Sequence, residues 1–154
     1  MHQKFGLQET KQDDSSLFDD FFTLMQDNHA DFTLSFRQLG NILVDDPRQD
    51  EPIRDLFLDR FSLDQWLVRY RSRLIEEASK DQHRQKAMHA VNPKYILRNY
   101  LAQVAIEKAQ EKDFSEVNKL LEILEHPFDE QPDNEAYAEL PPDWASKLEV
   151  SCSS

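Results

Sequence analysis

The chain of 154 residues carries 18 Lys and Arg against 30 Asp and Glu, which gives a formal net charge of −12. This negative charge argues against nucleic acid or an anionic membrane as a partner, and the length suits one compact domain over residues 1–154. Only two glycines occur, Gly6 and Gly40, so the sequence holds none of the glycine-rich loops that cradle nucleotide phosphates. Scarce glycine and abundant Leu, Gln, Glu, Lys and Arg predict an all-α fold.

Two amphipathic helices are predicted in the first third of the chain. Residues 13–29 form the first, with capping candidates at Asp14, Ser15 and Ser16. Its apolar face comprises Leu17, Phe18, Phe21, Phe22, Leu24 and Met25. Residues 31–44 repeat the pattern with Phe32, Phe36, Leu39 and Leu43. The prolines and charges of residues 45–52 then predict a surface loop.

The sequence pattern predicts two more helices in the middle of the chain. Ser62 and Gln65 stand at capping-box spacing at the start of a helix over residues 62–80. The apolar side of this helix comprises Leu63, Trp66, Leu67, Tyr70 and Leu74. Residues 81–91 show a weaker helical pattern.

The last third predicts two helices followed by turns. Asn92 as the cap and Pro93 at the first helical position indicate a helix over residues 92–113. Its expected buried stripe is Ile96, Leu97, Tyr100, Leu101 and Val104. Ser115 caps a helix that Pro127 stops, and its expected inward side chains are Val117, Leu120, Leu121 and Leu124. The four prolines of residues 127–145 predict short turns wrapped on the helices.

Side chains of the types used in active sites occur in patterns that favour structural roles. His83 and His89 are six residues apart, which does not place both on one face of a zinc-binding helix. Adjacent acidic residues diverge on a helix and are expected at the surface: Asp19/Asp20, Asp45/Asp46 and Glu76/Glu77. Five arginines that could hold a phosphate lie among acidic residues and are expected to form ion pairs: Arg54, Arg60, Arg69, Arg71 and Arg73. We therefore predict no catalytic residue, metal ligand or cofactor site in this chain.

Cys152 is the only cysteine, so any disulfide through it needs a second chain, a small thiol or a further part of the same polypeptide. The segment 141–145 is expected to pin the tail through a buried Trp144 ring, while residues 150–154 stay loose. From the residues alone, an incidental exposed thiol and a reactive one are both open.

Several short segments together carry a family resemblance. NPKY at 92–95, RNYLA at 98–102, PFDEQP at 127–132 and PPDWA at 141–145 resemble, in order and spacing, signatures of the selenoprotein O family of pseudokinase-like protein adenylyltransferases. Upstream segments at 31–39, 53–60 and 64–74 also resemble the family.

This resemblance implies that the chain is the carboxyl-terminal part of a longer enzyme that transfers AMP from ATP to protein hydroxyl groups. It implies a helical extension like a kinase C-lobe, with a Pro-rich wrap and a mobile redox tail over residues 127–154. ATP and Mg²⁺ or Mn²⁺ would bind in the kinase-like amino-terminal portion, which would be this chain's partner together with the enzyme's protein substrates. This chain alone is then expected to be inactive. Cys152 matches a near-terminal selenocysteine or cysteine of the family, which implies a redox-regulatory thiol.

A second interpretation is an independent helical protein-interaction module whose exposed thiol is incidental. The coding region upstream of Met1 distinguishes the two, because a continuous reading frame with kinase-like residues supports the first. The sequence shows neither a signal-peptide pattern nor an apolar stretch of bilayer length, so we expect a cytoplasmic protein.

Overall fold

The computed structural model describes residues 1–147, and in that range the chain is helical and contains no β-strand. The predicted all-α fold class is thereby confirmed. The chain divides into two compact units, Met1–Asn92 and the part from Pro93 onward. The predicted single domain over residues 1–154 and its likeness to a kinase C-lobe stay predictions. No helix within residues 1–147 is both long enough and apolar enough to cross a membrane.

The first unit contains five α-helices and two 3-10 turns. The α-helices are α1 (Asp14–Asp27), α2 (Phe32–Leu39), α3 (Glu51–Arg54), α4 (Arg60–Glu76) and α5 (Asp81–His89). The 3-10 turns are His2–Phe5 and Pro47–Asp50. The predicted loop at residues 45–52 is therefore partly helical, because the Asp46 carboxylate accepts the backbone N–H of Arg48 and Pro47 occupies the first position of the turn.

Aromatic side chains fill the centre of the first unit. Phe5 is fully buried and stacks on Phe18 with ring centroids 4.3 Å apart. Trp66 stacks on Phe21 at 4.4 Å, and its indole N–H donates to the Leu17 carbonyl at 2.9 Å. The predicted apolar faces of α1 and α4 thus form one core, to which the unpredicted Phe5 adds a central ring.

Gly6 occupies a position that only glycine fits. Its φ of 68° lies in the left-handed region, and a Cβ there would stand 2.4 Å from Cγ of Arg84 and 2.6 Å from Sδ of Met88. Glycine therefore lets the amino-terminal turn lie directly against α5.

The starts of α4 and α1 in the first unit differ from the predictions. Helix α4 begins at Arg60 rather than at Ser62, because Asp59 is its cap. The Asp59 carboxylate accepts the backbone N–H of Ser62 at 3.0 Å. Helix α1 begins at Asp14 after Asp13, whose side chain makes no capping bond. The second helix ends at Leu39, which leaves Leu43 outside it, and its first residue, Phe32, is half exposed.

The second unit contains α6 (Asn99–Gln110), α7 (Ser115–Glu125) and two 3-10 turns, Pro132–Tyr137 and Asp143–Lys147. One small core consists of Tyr95, Ile123 and Ala138, and another of Leu101, Ala105 and Leu120. On α7 the prediction that Val117 and Leu121 point inward is wrong, because Ile123 takes the buried position beside Leu120.

Helix α6 begins at Asn99, six residues after Pro93, its predicted first helical position. The backbone N–H groups of Lys94 and Tyr95 both donate to the Pro127 carbonyl, at 2.8 and 3.1 Å. This pairing holds the residues after Pro93 outside the helix, and Leu97 of the predicted stripe is exposed. The predicted Asn92 cap is also wrong, since its side chain instead donates to the Lys4 carbonyl at 3.0 Å.

The Pro-rich segment lies on the helices of the second unit, as predicted. The Gln131 side-chain amide donates to the carbonyls of Ile123 and His126 at the end of α7, at 3.1 and 2.9 Å. Tyr137 donates to Glu116 at 2.6 Å, and this bond, with burial, raises the pKa of Tyr137 to about 12. These bonds fix the segment to α7 through polar groups.

Candidate functional site

The predicted redox residue, Cys152, lies outside the described residues, so its role stays a prediction. The segment that leads toward it ends, in the described range, with the 3-10 turn Asp143–Lys147. The prediction that Trp144 buries its ring is wrong: 53% of the residue is exposed. Its ring lies perpendicular to that of Tyr100, with a centroid distance of 6.0 Å, so one aromatic contact replaces the expected burial.

A groove of about 730 Å³ lies in the second unit beside this turn. Its walls are the start of α6 and the segment 141–145, and it is lined by Ile96, Leu97, Arg98, Asn99, Tyr100, Pro141, Pro142, Asp143 and Ala145. Within the described residues, the segment 141–145 therefore forms one wall of a groove.

A group of buried and half-buried charges lies in the first unit around Arg73. The guanidinium of Arg73 donates to the Asp14 carboxylate at 2.7 and 3.2 Å, to Glu77 at 3.0 Å and to the Glu9 carbonyl at 2.8 Å. Burial by itself would raise the pKa of Asp14, but the bonds from Arg73 and from the Lys11 backbone lower it to about 2. Asp14 is therefore a permanently charged structural group at neutral pH.

Two more buried arginines bind groups at or beyond the ends of helical segments. Arg71 donates to the Asp50 carboxylate at 2.6 and 2.8 Å and to the Leu43 carbonyl at 2.9 Å. Arg37 donates to the carbonyls of His89 and Asn92, both at 3.1 Å. These guanidinium groups supply hydrogen bonds to backbone that no helix satisfies.

The prediction of ion pairs for the five arginines is confirmed. In addition to Arg71 and Arg73, Arg54 pairs with Glu51 and Asp64, and Arg69 pairs with Asp20. Arg60 pairs with Asp55 and with Glu51. Each of these guanidinium groups is thus engaged by carboxylates of this chain.

Sequence reasoning missed the buried carboxylates. The Glu77 side chain is buried rather than at the surface, because Arg73 reaches it one helical turn away, whereas its neighbour Glu76 is exposed. Asp14 and Asp50 are also buried, and no apolar periodicity marks them. The sequence signal that could have indicated them is the presence of Arg71 and Arg73 in α4, because buried arginines commonly pair with carboxylates.

The described residues bring no metal-binding group together. His83 is exposed. His89 packs against Gly40, where an added Cβ atom would lie 2.9 Å from the His89 ring. Within residues 1–147, no three His, Cys, Asp or Glu side chains are placed to hold a metal ion. Several buried charged side chains of the first unit instead form ion pairs with one another.

Comparison with known proteins identifies the relatives of this chain. The family model described as "Protein adenylyltransferase SelO" matches residues 1–125. The chain is 62% identical over all its 154 residues to a protein nucleotidyltransferase YdiU of Herminiimonas arsenicoxydans, of which it covers 31%. It is 54% identical over its whole length to the protein of that name from Burkholderia pseudomallei strain K96243, and covers 30% of it. The chain thus spans about a third of the length of these relatives, and it belongs to the SelO protein adenylyltransferase family.

Proposed function

We propose that this chain is the carboxyl-terminal helical part of a SelO-type enzyme that transfers AMP from ATP to hydroxyl side chains of other proteins. The observation that carries the proposal is the match of all 154 residues, at 62% identity, to 31% of a protein nucleotidyltransferase. In this proposal the chain supplies scaffold and a redox-responsive tail. The kinase-like remainder of the enzyme binds ATP, the metal ion and the protein substrates.

The described side chains do not fit ATP or its metal ion. The buried carboxylates Asp14 and Asp50 are of the type that binds metal ions, but each is held by an arginine of α4. Of the two glycines, Gly6 is crowded by Arg84 and Met88, and Gly40 by His89. In this proposal the nucleotide and its metal ion therefore bind in the remainder of the enzyme.

The interior of the first unit supports a scaffold role. Its buried arginines bridge elements far apart in sequence, such as α4 to the segment before α1 through Arg73. A guanidinium with several partners fixes the geometry of each more tightly than apolar contact alone. A unit whose elements are fixed in this way presents a rigid surface, as a scaffold requires.

The regulatory part of the proposal concerns Cys152. Its thiolate attacks a small-molecule disulfide, which leaves a mixed disulfide on Cys152 and releases one small thiol. A cysteine in the remainder of the enzyme then displaces the second small thiol, so that the protein is oxidised by two electrons and the small disulfide is reduced. The tether to the helical unit favours this step by presenting the sulfur at high effective concentration.

The experiment uses the full-length enzyme, with AMP transfer to protein measured with and without a thiol reductant. Cys152→Ser should abolish the response of activity to reductant, and the matched control Ser153→Ala should keep it. Mass spectrometry after digestion without reductant should show Cys152 joined to a second cysteine of the same polypeptide. An enzyme that lacks AMP-transfer activity contradicts the main proposal. An active enzyme in which Cys152 stays a free thiol and Cys152→Ser changes nothing contradicts the regulatory part.

A further inference from the structure

Helix α4 carries a row of uncharged side chains on the face turned away from the core. Phe61, Val68 and Ile75 are seven residues apart and are 70%, 64% and 62% exposed. Residues at this spacing lie along one side of a helix. Leu58, 86% exposed, stands just before the helix begins. The α4 stripe, as we call this row, consists of Leu58, Phe61, Gln65, Val68, Ser72 and Ile75.

The stripe is unusual because the opposite face of α4 is also apolar. Leu63, Leu67 and Leu74 are fully buried in the core of the first unit. A helix with apolar side chains on two opposite faces is typical of the interior of a larger protein, not of its surface. The segment from Phe61 to Ile75 extends about 21 Å without a charge on the stripe. In the whole chain, by contrast, 31% of the residues are charged.

Two observations indicate what covers the stripe. The chain matches only 31% of the length of its relative from Herminiimonas arsenicoxydans, so about two thirds of such a protein lies outside these residues. A second copy of this chain is disfavoured as the occupant, because each copy carries a net charge of −12 and the two would repel each other. The remainder of the same polypeptide is present at high effective concentration.

We propose that the α4 stripe is an intramolecular docking surface, covered in the full-length enzyme by an apolar face of the polypeptide outside these 154 residues. This inference rests on the proposed function, since it requires the longer parent protein. It adds that α4 joins two parts of the enzyme, with one apolar face in the core of the first unit and the other against the remainder.

Photo-crosslinking of the full-length enzyme identifies the occupant. A photoreactive benzoyl-phenylalanine is placed at Val68 and, as a matched control, at Lys86, an exposed residue of α5. Position 68 should crosslink to peptides from outside residues 1–154, in yields well above those from position 86. Isotope-labelled and unlabelled enzyme are mixed beforehand. Crosslinks between labelled and unlabelled chains, crosslinks to residues 93–154, or no crosslink above the control would each overturn the proposal.

Thiol labelling tests the coverage with a smaller change of side chain. In the full-length enzyme carrying Cys152→Ser, labelling is followed by mass spectrometry of the peptide that holds the introduced cysteine, so that other thiols of the enzyme do not contribute. Val68→Cys should react with a maleimide at least about tenfold more slowly than Lys86→Cys, because a covered side chain reacts only when the contact opens. Equal rates would overturn the proposal. AMP transfer is measured on the same preparations, so that an active enzyme with an accessible position 68 refutes the docking surface alone. Protection at position 68 in an inactive enzyme refutes the proposed function alone.

Discussion

Asp14 keeps its negative charge inside the first unit because Arg73 surrounds it with donors. The carboxylate accepts two bonds from the guanidinium and one from the Lys11 backbone N–H at 2.8 Å, and His2 lies 3.1 Å away. A buried carboxylate without such partners would be costly, since burial disfavours the charged form. The low pKa of about 2 shows that the hydrogen bonds outweigh the burial.

We expect Asp14→Asn to reduce the free energy of unfolding by about 2 kcal/mol at pH 7. The pKa is about 2 in the folded chain and near 3.8 when the group is unperturbed. The charge therefore contributes its full stability above about pH 5, and that contribution is lost progressively as the pH falls through 3.8 toward 2. Urea unfolding of the wild type and the variant at pH 7, 5 and 3 measures the difference.

The difference between the two proteins should shrink by about half at pH 3. Asp13→Asn is the control, because this neighbouring side chain is exposed and makes no capping bond, and it should change stability by less than about 0.5 kcal/mol throughout. Equal stability of Asp14→Asn and wild type at pH 7, or a difference that does not depend on pH, would contradict this interpretation.

At the scale of the elements, helix caps decide where several helices begin. Asp31 precedes α2 in an extended conformation, and its carboxylate accepts the Leu34 backbone N–H at 2.8 Å. Asp13 precedes α1 in a helical conformation and makes no such bond. Both aspartates stand immediately before a helix, but they differ in backbone conformation and in whether the carboxylate caps the helix.

Asp31→Ala should therefore destabilise the chain by about 1 kcal/mol, whereas Asp13→Ala should cost less than about 0.5 kcal/mol. Thermal unfolding followed by circular dichroism at pH 7 gives both values. If the two substitutions have the same effect, the capping bond is not what stabilises the start of α2.

The elements also show what the sequence can and cannot predict. Periodicity located α1, α4 and α7 because their apolar side chains recur at helical spacing. The start of α6 could not be found this way, since it depends on the Pro127 carbonyl, which is distant in sequence from the N–H groups of Lys94 and Tyr95 that bind it. The prediction that Trp144 is buried was wrong for a related reason. A large apolar ring is buried only where distant segments of the fold form a cavity for it, and the local sequence does not show this.

The sequence also did not indicate which charged side chains would be buried. The pattern around Arg73 indicated ion pairs, and these form, but nothing in the spacing distinguished the buried Glu77 from the exposed Glu76. For the candidate site, the residues pointed only to Cys152, and the family resemblance supplied its expected role. Burial of a charge depends on which distant segment folds over it, which periodicity does not encode.

At the scale of the whole molecule, the two units differ in the size of their cores. The first unit buries one large continuous cluster that includes Phe21, Trp66 and Tyr70. Within residues 93–147, the second unit buries two clusters of three side chains each, and the half-buried Tyr137 packs against both. Small cores rarely offset the loss of conformational entropy on folding.

We expect the intact chain and a fragment of residues 1–92 to show helical far-ultraviolet circular dichroism and cooperative thermal unfolding. A fragment of residues 93–154 should show a weak helical signal and no cooperative transition, because its core is too small to fold alone. Dispersed amide resonances from the second fragment, or a coil spectrum from the first, would contradict this assignment of stability.

The burial of Phe5 has a consequence for the order of events during synthesis. The Phe5 carbonyl accepts the Tyr70 hydroxyl at 2.7 Å, and the next residue, Gly6, lies against Met88. Because translation proceeds from the amino terminus, Phe5 leaves the ribosome long before the residues that enclose it. Contacts between such distant positions form slowly, and the waiting aromatic side chains are exposed meanwhile. The nascent chain should therefore bind chaperones that recognise apolar segments until α5 has emerged.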